Sequence, residues 1–326
     1  MKALVLQKQD DNVIPEILSI STEKLPAGEV IIDIHWSTLN YKDALAINGK
    51  AGVIRNYPMV PGIDFSGVIQ HSEDPRFHVG QHVLLTGWGV GETHWGGLAT
   101  QARVPADYLT PLPESLSLRQ AMIIGTAGFT AMLCVNALED AGVTPDKGEV
   151  VVSGASGGVG SVAIQLLTAL GYDVVAISGR EENSEYLHRI GAKKILPRGD
   201  FTHPAKPLDK QLWAGAIDTV GGELLANLLT QIKYNGAVAA CGLAGSFTLP
   251  ATVMPFILRN IRLQGVDSVY YPASKRPKVW ERLAQLLPES FYQQVSSEIS
   301  LEQSVEYAKK LLKNQVTGRT LVNLHD

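Results

Sequence analysis

The chain has 326 residues, of which 45% are hydrophobic and 18% charged, and its formal net charge is −4. That length suits two domains of about 100–200 residues each, and the hydrophobic content excludes a chain that is disordered as a whole. The mild acidity argues against a nucleic-acid partner, which would need a basic field.

The first third reads as β-rich and irregular. Short strands are expected at Lys2–Leu6, Glu29–Trp36, Gly67–His71, His82–Leu85 and Leu98–Val104, punctuated by Pro and Gly, a pattern that suits a small, partly open barrel. The apolar start, Ala3–Leu6, is too short for a signal-peptide core. Ala121–Leu138 carries no charge and approaches membrane-spanning length. Gly125, Thr126, Gly128, Thr130 and Asn136 interrupt it, so a buried helix with a glycine break is expected. From Glu149 the texture changes. Strands at Glu149–Ser153, Asp173–Ser178, Lys194–Leu196, Ala216–Val220, Gly236–Cys241 and Ile261–Val266 enclose helices at Gly160–Leu170, Glu181–Ile190 and Glu223–Lys233. Apolar strands alternating with helices predict a parallel sheet covered on both faces. The tail from Tyr270 adds two helical stretches and a last strand, Thr320–Leu324. Cys134 and Cys241 have neither C-x-x-C nor zinc-like spacing, so a reducing compartment is expected. A soluble, cytoplasmic chain with no membrane partner follows as the expectation.

The most informative segment is the strand–turn–helix at 150–160. Ala155, Gly157 and Gly160 fall on the G-x-G-x-x-G spacing, with Ala in the first place. Small residues allow a tight turn and let a pyrophosphate approach bare backbone, and the helix N-terminus offers free N–H groups to phosphate. The same stretch, Gly154-Ala-Ser156-Gly-Gly158, also matches the G-x-S-x-G elbow of serine hydrolases. A triad would then need His188, His203 or His325, none of which looks held. The end of the second strand of this half favours the nucleotide. An NAD site places an acid there, whereas Ser178-Gly179-Arg180 offers a hydroxyl, room and a bidentate guanidinium. With Arg198 as a second cation, the pattern points to NADP(H).

A metal site is not expected. No Cys lies before position 134, and His78 and His82 share a four-residue spacing only around Val79-Gly80, a poor helix sequence. Without a Lewis acid, hydride transfer suits a C=C bond conjugated to a carbonyl or quinone, because the charge spreads onto an oxygen that hydrogen-bond donors can hold.

The chain resembles the medium-chain dehydrogenase/reductase superfamily, in its zinc-free, quinone-oxidoreductase-like branch. Within that branch it is similar to the bacterial NADPH-dependent acrylyl-CoA reductases. The carrying segments are Trp36–Leu45 (with Asn40-Tyr-Lys-Asp43), Pro61–Gly67, Leu84–Gly91, His94–Gly97, Gly125–Thr130, Ser153–Gly160, Cys241–Gly245, Met254–Asn260 and Gly265–Ser268. The resemblance implies an α/β protein: a GroES-like β-rich substrate domain over 1–122, completed by 270–326, and a Rossmann doubly wound parallel sheet over 123–269, with a cleft between them. It implies that Ser156, Gly157, Gly158 and Val159 cradle the pyrophosphate, and that Ser178, Gly179, Arg180 and Arg198 hold the 2′-phosphate. Tyr41, Leu243, Ile257, Ser268 and Asn314 would border the nicotinamide. It further implies a short enoyl-CoA substrate and a homodimer. Lys42, Lys50 and Arg55 are candidates for the CoA phosphates.

Two residues are candidates for chemistry. Tyr41 can bond an enolate oxygen or relay a proton, or simply pack on the cofactor. Asp64 stands where zinc-dependent relatives read Gly-His-Glu, here Gly62-Ile63-Asp64. Ile63 removes a ligand, and Asp64 can relay a proton or bond backbone or Lys42; Asp43 is a weaker candidate of the same kind. The function expected is NADPH-dependent reduction of an activated C=C bond, acrylyl-CoA to propionyl-CoA. The rivals are a general quinone or enone reductase, a non-catalytic NADPH-binding protein and a serine hydrolase.

Overall fold

The computed structural model describes residues 1–325. Its chain falls into two units. Residues 1–126, Ser268–Ala284 and the segment from Val295 onward make the first; Ala127–Asp267 and Gln285–Gln294 make the second.

The first unit begins with a hairpin, β1 (Lys2–Gln9) and β2 (Asn12–Ser19), joined by the two-residue turn Asp10-Asp11 with Asp10 at φ 53°. Asp tolerates the left-handed conformation that such a turn needs. The sequence reading missed β2, because its burial only alternates and Pro15 interrupts it; proline is tolerated on an edge strand. Next come β3 (Val30–Thr38), α1 (Tyr41–Ile47), β4 (Asp64–Ser72), β5 (His82–Thr86), β6 (Gln101–Val104) and the two-residue β7 (Thr110–Pro111). In β3, Val30, Ile32 and Ile34 point into the core while Asp33 and His35 point outward, the period-2 alternation of a strand with one buried face. The core around them includes Leu4, Leu6, Phe65, Ile69, Leu85 and Val322.

Helix α2 (Leu118–Asp140) is the expected glycine-broken helix: Gly125 sits at φ 51°, ψ −160°, outside helical geometry. It is long and apolar enough to cross a membrane, yet 83% of its most apolar window is buried within the protein, which identifies a core helix.

The second unit alternates as expected: β8 (Val150–Val152), α3 (Gly158–Ala169), β9 (Val174–Ser178), α4 (Ser184–Arg189), β10 (Lys194–Pro197), β11 (Trp213–Asp218), α5 (Gly222–Gln231), β12 (Ile232–Ala240), α6 (Met254–Arg259) and β13 (Arg262–Gly265). All six strands run parallel in the order β10-β9-β8-β11-β12-β13. This is the doubly wound Rossmann order, and the direction of winding reverses between β8 and β11. Val151, Val175, Ile177, Ala216 and Val238 fill the core of that sheet together with Leu224 and Leu228 from α5. The strand expected at Ala216–Val220 in fact starts earlier, at Trp213, and Val220 lies in the turn beyond it.

The tail holds more than expected. It comprises α7 (Arg276–Leu286), α8 (Glu289–Gln294), β14 (Ser296–Ser300), α9 (Ser304–Leu312) and β15 (Arg319–Asn323). The polar β14, Ser-Ser-Glu-Ile-Ser, pairs with β15, and β15 joins the first unit's sheet against β3. That sheet runs β14-β15-β3-β4-β5-β7, with β6 also paired to β3. The first unit is thus completed by residues far along the chain.

Candidate active site

In the second unit, the carboxyl ends of β8 and β11 are tied at the reversal point. Ser153 Oγ donates to Asp218 Oδ1 at 2.6 Å, Thr219 N–H donates to Ser153 Oγ at 2.9 Å, and Gly221 N–H donates to Asp218 Oδ2 at 2.8 Å. Burial pushes the Asp218 carboxyl up, opposed by these hydrogen bonds. The chain then turns through Ser156 and enters α3 behind Gly157. Gly160 cannot be replaced there: a Cβ would overlap the Gly154 carbonyl oxygen and lie 2.7 Å from Ala155 Cα. This close approach is the packing that the last glycine of the motif serves. The amides of the first turn of α3, at Gly158 and Val159, start a twelve-residue helix, so a phosphate beside them meets unbonded N–H groups and the positive end of the helix.

At the end of β9 the structure forms a hollow of about 600 Å³, lined by Ser178, Gly179, Arg180, Glu181, Arg198 and Thr202 among others. Ser178 is buried; its Oγ accepts from Arg180 N–H at 3.2 Å and donates to the Arg180 carbonyl at 3.1 Å. Arg180 Nη2 donates to Ser156 Oγ at 3.3 Å, which joins the hollow to the glycine turn. Gly179 makes room for Arg198, since a Cβ would sit 2.9 Å from the guanidinium carbon. Arg198 is exposed, with no acidic partner among the described residues. Two guanidiniums and a hydroxyl converging on one hollow fit a dianionic phosphate, and a 2′-phosphorylated adenosine is the group this site suits.

The hydrolase arrangement is not built. The Nδ1 of His188 faces the Ala192 carbonyl at 2.8 Å, His203 is exposed, and His325 pairs with Asp33 in the other unit. Of the remaining expected residues, Leu243 and Ile257 are 65% and 73% exposed on the second unit. Ser268 belongs to the first unit, where its carbonyl accepts from Arg276 Nη2 at 3.0 Å. Asn314, also of that unit, is exposed just beyond α9 at φ 56°.

Tyr41 opens α1 on the first unit and is 41% exposed. A buried polar network holds it there. Asp43 Oδ2 accepts from Asn40 N–H at 2.8 Å and Asp43 Oδ1 accepts from Ile63 N–H at 3.0 Å. Asp64 is fully buried. Its carboxylate accepts from the Thr38 hydroxyl, from Asn40 Nδ2 at 3.1 Å and from Thr126 N–H at 2.8 Å, with Arg319 Nη2 at 4.0 Å. Arg319, equally buried, donates to Asn40 Oδ1 at 3.0 Å and to the Ile123 carbonyl at 3.0 Å. Gly125 lies on this cluster: a Cβ would come 2.8 Å from Asp64 Oδ2 and closer still to Arg319. Its φ and ψ also fall in a region reserved for glycine. Lys42 does not meet Asp64; its Nζ bonds Glu92 at 3.0 Å. The sequence reading missed the Asn40–Arg319 part of this network, since nothing local to Arg319 shows that β15 returns beside β3.

Comparison with known proteins agrees with this architecture. Residues 26–114 match the alcohol dehydrogenase GroES-like domain and residues 158–287 the zinc-binding dehydrogenase domain. The chain belongs to the medium-chain dehydrogenase/reductase superfamily. Within the superfamily, it is 61% identical to the probable acrylyl-CoA reductase AcuI of Escherichia coli, over all of both chains. It is 48% identical to the acrylyl-CoA reductase AcuI of Ruegeria pomeroyi, over 99% of each. The YhdH oxidoreductase of Salmonella enterica, solved in complex with NADP, superposes with a TM-score of 0.98 at 61% identity, over 99% of this chain and 100% of that one. Quinone-oxidoreductase relatives belong to the same superfamily: the putative quinone oxidoreductase YhfP of Bacillus subtilis is 47% identical over 99% of this chain and 98% of that one, and the porcine quinone oxidoreductase is 29% identical over 71% and 70%.

In this superfamily member the Asp43 carboxyl is pushed up to about 7, first by burial and then by the Asp64 charge, against the pull of its Asn40 and Ile63 bonds. The folded state therefore holds a proton that the unfolded chain releases near its ordinary value of 3.8. The associated stability is complete below that value and is lost as pH rises through about 7. Unfolding in urea should show a loss of about 1 kcal/mol from this group between pH 6 and pH 8. Asp43→Asn should remove that part of the slope; parallel pH profiles for both proteins would contradict the assignment.

Proposed function

We propose that the protein is an NADPH-dependent reductase of an activated C=C bond that converts acrylyl-CoA to propionyl-CoA. The observation that carries the reading is the hollow at Ser178, Arg180 and Arg198, contiguous through Ser156 with the glycine turn. The substrate is taken from the full-length relatives named above.

Bound NADPH supplies a hydride to the β-carbon of the acrylyl group. The protein's own groups do the rest. Ser156, Gly157, Gly158 and Val159 hold the pyrophosphate, and Ser178, Gly179, Arg180 and Arg198 hold the 2′-phosphate. Leu243 and Ile257, exposed on the same unit, would border the nicotinamide ring. As hydride adds to the β-carbon, the C=C π pair becomes the Cα=C bond of an enolate and the carbonyl π pair moves onto the thioester oxygen. The exposed Tyr41 hydroxyl donates to that oxygen, which lowers the barrier where charge develops. A proton, carried by Tyr41 or water, then completes the α-carbon. Asp64 takes a positioning role. Its carboxylate is already accepting from Thr38, Asn40 and Thr126, so it acts by fixing Asn40 and the start of α1, and hence Tyr41.

The protein works as a cytoplasmic homodimer in this reading. Among the described residues, the edge strand β13 has no partner on its outer side, and Phe247, Val253 and Leu258 just before it are 89%, 66% and 55% exposed. A second copy paired along β13 would satisfy the strand and cover these side chains. Sedimentation should give twice the chain mass, and Phe247→Glu with Val253→Glu should shift it toward the monomer; a wild-type monomer at micromolar concentration contradicts this.

Acrylyl-CoA should drive oxidation of NADPH much faster than benzoquinone does. Tyr41→Phe should cut kcat by about 100-fold with little change in NADPH affinity. Brisk turnover with the quinone and none with the thioester would instead make the protein a general quinone reductase.

Arg180→Ala should weaken NADPH by about 10- to 100-fold, the worth of one charge-assisted bidentate contact, and leave NADH nearly unchanged. Equal losses for the two coenzymes would contradict the role given to Arg180.

A further inference from the structure

The outward face of β3 carries a cluster that the reductase reading does not use. Asp33 and His35 stand two residues apart on that face, because Ile32 and Ile34 take the inward positions. The segment beyond β15 brings in a third group: Leu324 N–H bonds the His35 carbonyl at 3.2 Å, which places His325 beside His35, with ring centroids 4.4 Å apart. His35 Nε2 lies 3.5 Å from Asp33 Oδ2 and His325 Nε2 lies 3.3 Å from Asp33 Oδ1. Both separations exceed a normal N–H···O hydrogen bond of about 2.7–3.2 Å.

Each separation, to a different Asp33 oxygen, falls near the spacing of two ligand atoms around one metal ion. Ligands held about 2.0–2.2 Å from a tetrahedral ion stand roughly 3.3–3.5 Å from one another. One ligand atom from each of Asp33, His35 and His325 can be chosen so that all lie within 4.8 Å of one another. Two imidazoles and a carboxylate form a donor set suited to a borderline transition ion, since imidazole favours zinc, nickel and copper while a hard cation prefers oxygen alone. The side chains are 26–45% exposed, so a hydrated ion can reach them and water can complete its coordination.

We propose that Asp33, His35 and His325 form a binding site for one divalent transition ion of the zinc type, which clamps the segment after β15 onto β3. The site shares no residue with the Asp64–Arg319 network or with the nucleotide hollow, and so does not depend on the proposed function. An ion there bridges residues nearly 300 positions apart in sequence, and binding only the folded arrangement, it adds to stability by mass action.

The test is a titration of chelator-stripped protein with Co2+, followed by its visible ligand-field bands, and competition by Zn2+. One equivalent should bind saturably, with bands of a low-symmetry four- or five-coordinate site, and Zn2+ should raise the melting temperature. His35→Gln and His325→Gln should each weaken binding by about 10-fold or more. His71→Gln, which alters a separate surface pair with Glu73, should leave binding unchanged. These surface variants should melt within a few degrees of wild type without metal, so that lost binding is not lost folding. No saturable binding, or binding that survives both His35→Gln and His325→Gln, would overturn the proposal.

Discussion

Two like charges converge on one hollow in the second unit, and the account of function rests on what brings them together. Arg180 and Arg198 come from the ends of adjacent parallel strands, β9 and β10, and Gly179 removes the side chain that would keep Arg198 away. Guanidiniums gathered around one space repel each other unless an anion joins them. Glu181 lines the same hollow, the Arg180 side chain reaches Ser156 Oγ, and Arg198 is exposed with no acidic partner among the described residues. In the proposed function, a phosphate ester on the adenosine ribose would bring an anion to this hollow, at the carboxyl edge of the doubly wound sheet.

The first unit solves a different problem. An exposed tyrosine on the first turn of a seven-residue helix would wander unless the helix start were fixed. The structure fixes it with buried ionisable groups. Asp43, Asp64 and Arg319 are all withdrawn from water, an expense offset by dense hydrogen bonding. Burial presses the Arg319 charge down while the two carboxylates hold it up, and the Asp43 carboxyl rises. Removing one member would leave the others buried without compensation, so the network specifies one arrangement of Asn40 and α1 rather than adding much net stability.

The parts legible in the sequence were those whose signal is local. The apolar strands of the second unit, the glycine turn, the missing acid after β9 and the break at Gly125 each lie within a few consecutive residues. Elements that depend on distant partners were missed. β2 is half exposed and forms by pairing with β1; β14 is too polar to read as a strand and exists because β15 lies beside it. The same cause hid Arg319 and the His325 cluster, since both depend on β15 returning to β3. Tyr41 and Asp64 were singled out from a motif, but the burial that separates the exposed hydroxyl from the enclosed carboxylate needed the fold.

The hollow beside Arg180 and Arg198 is proposed to recognise phosphate on the ribose 2′ position. The direct measurement is calorimetric binding of 2′-AMP against 5′-AMP to the same protein. 2′-AMP should bind at least about 10-fold more tightly than 5′-AMP, and its advantage should shrink as salt is added. Equal affinities at low salt, or a preference for 5′-AMP, would contradict it.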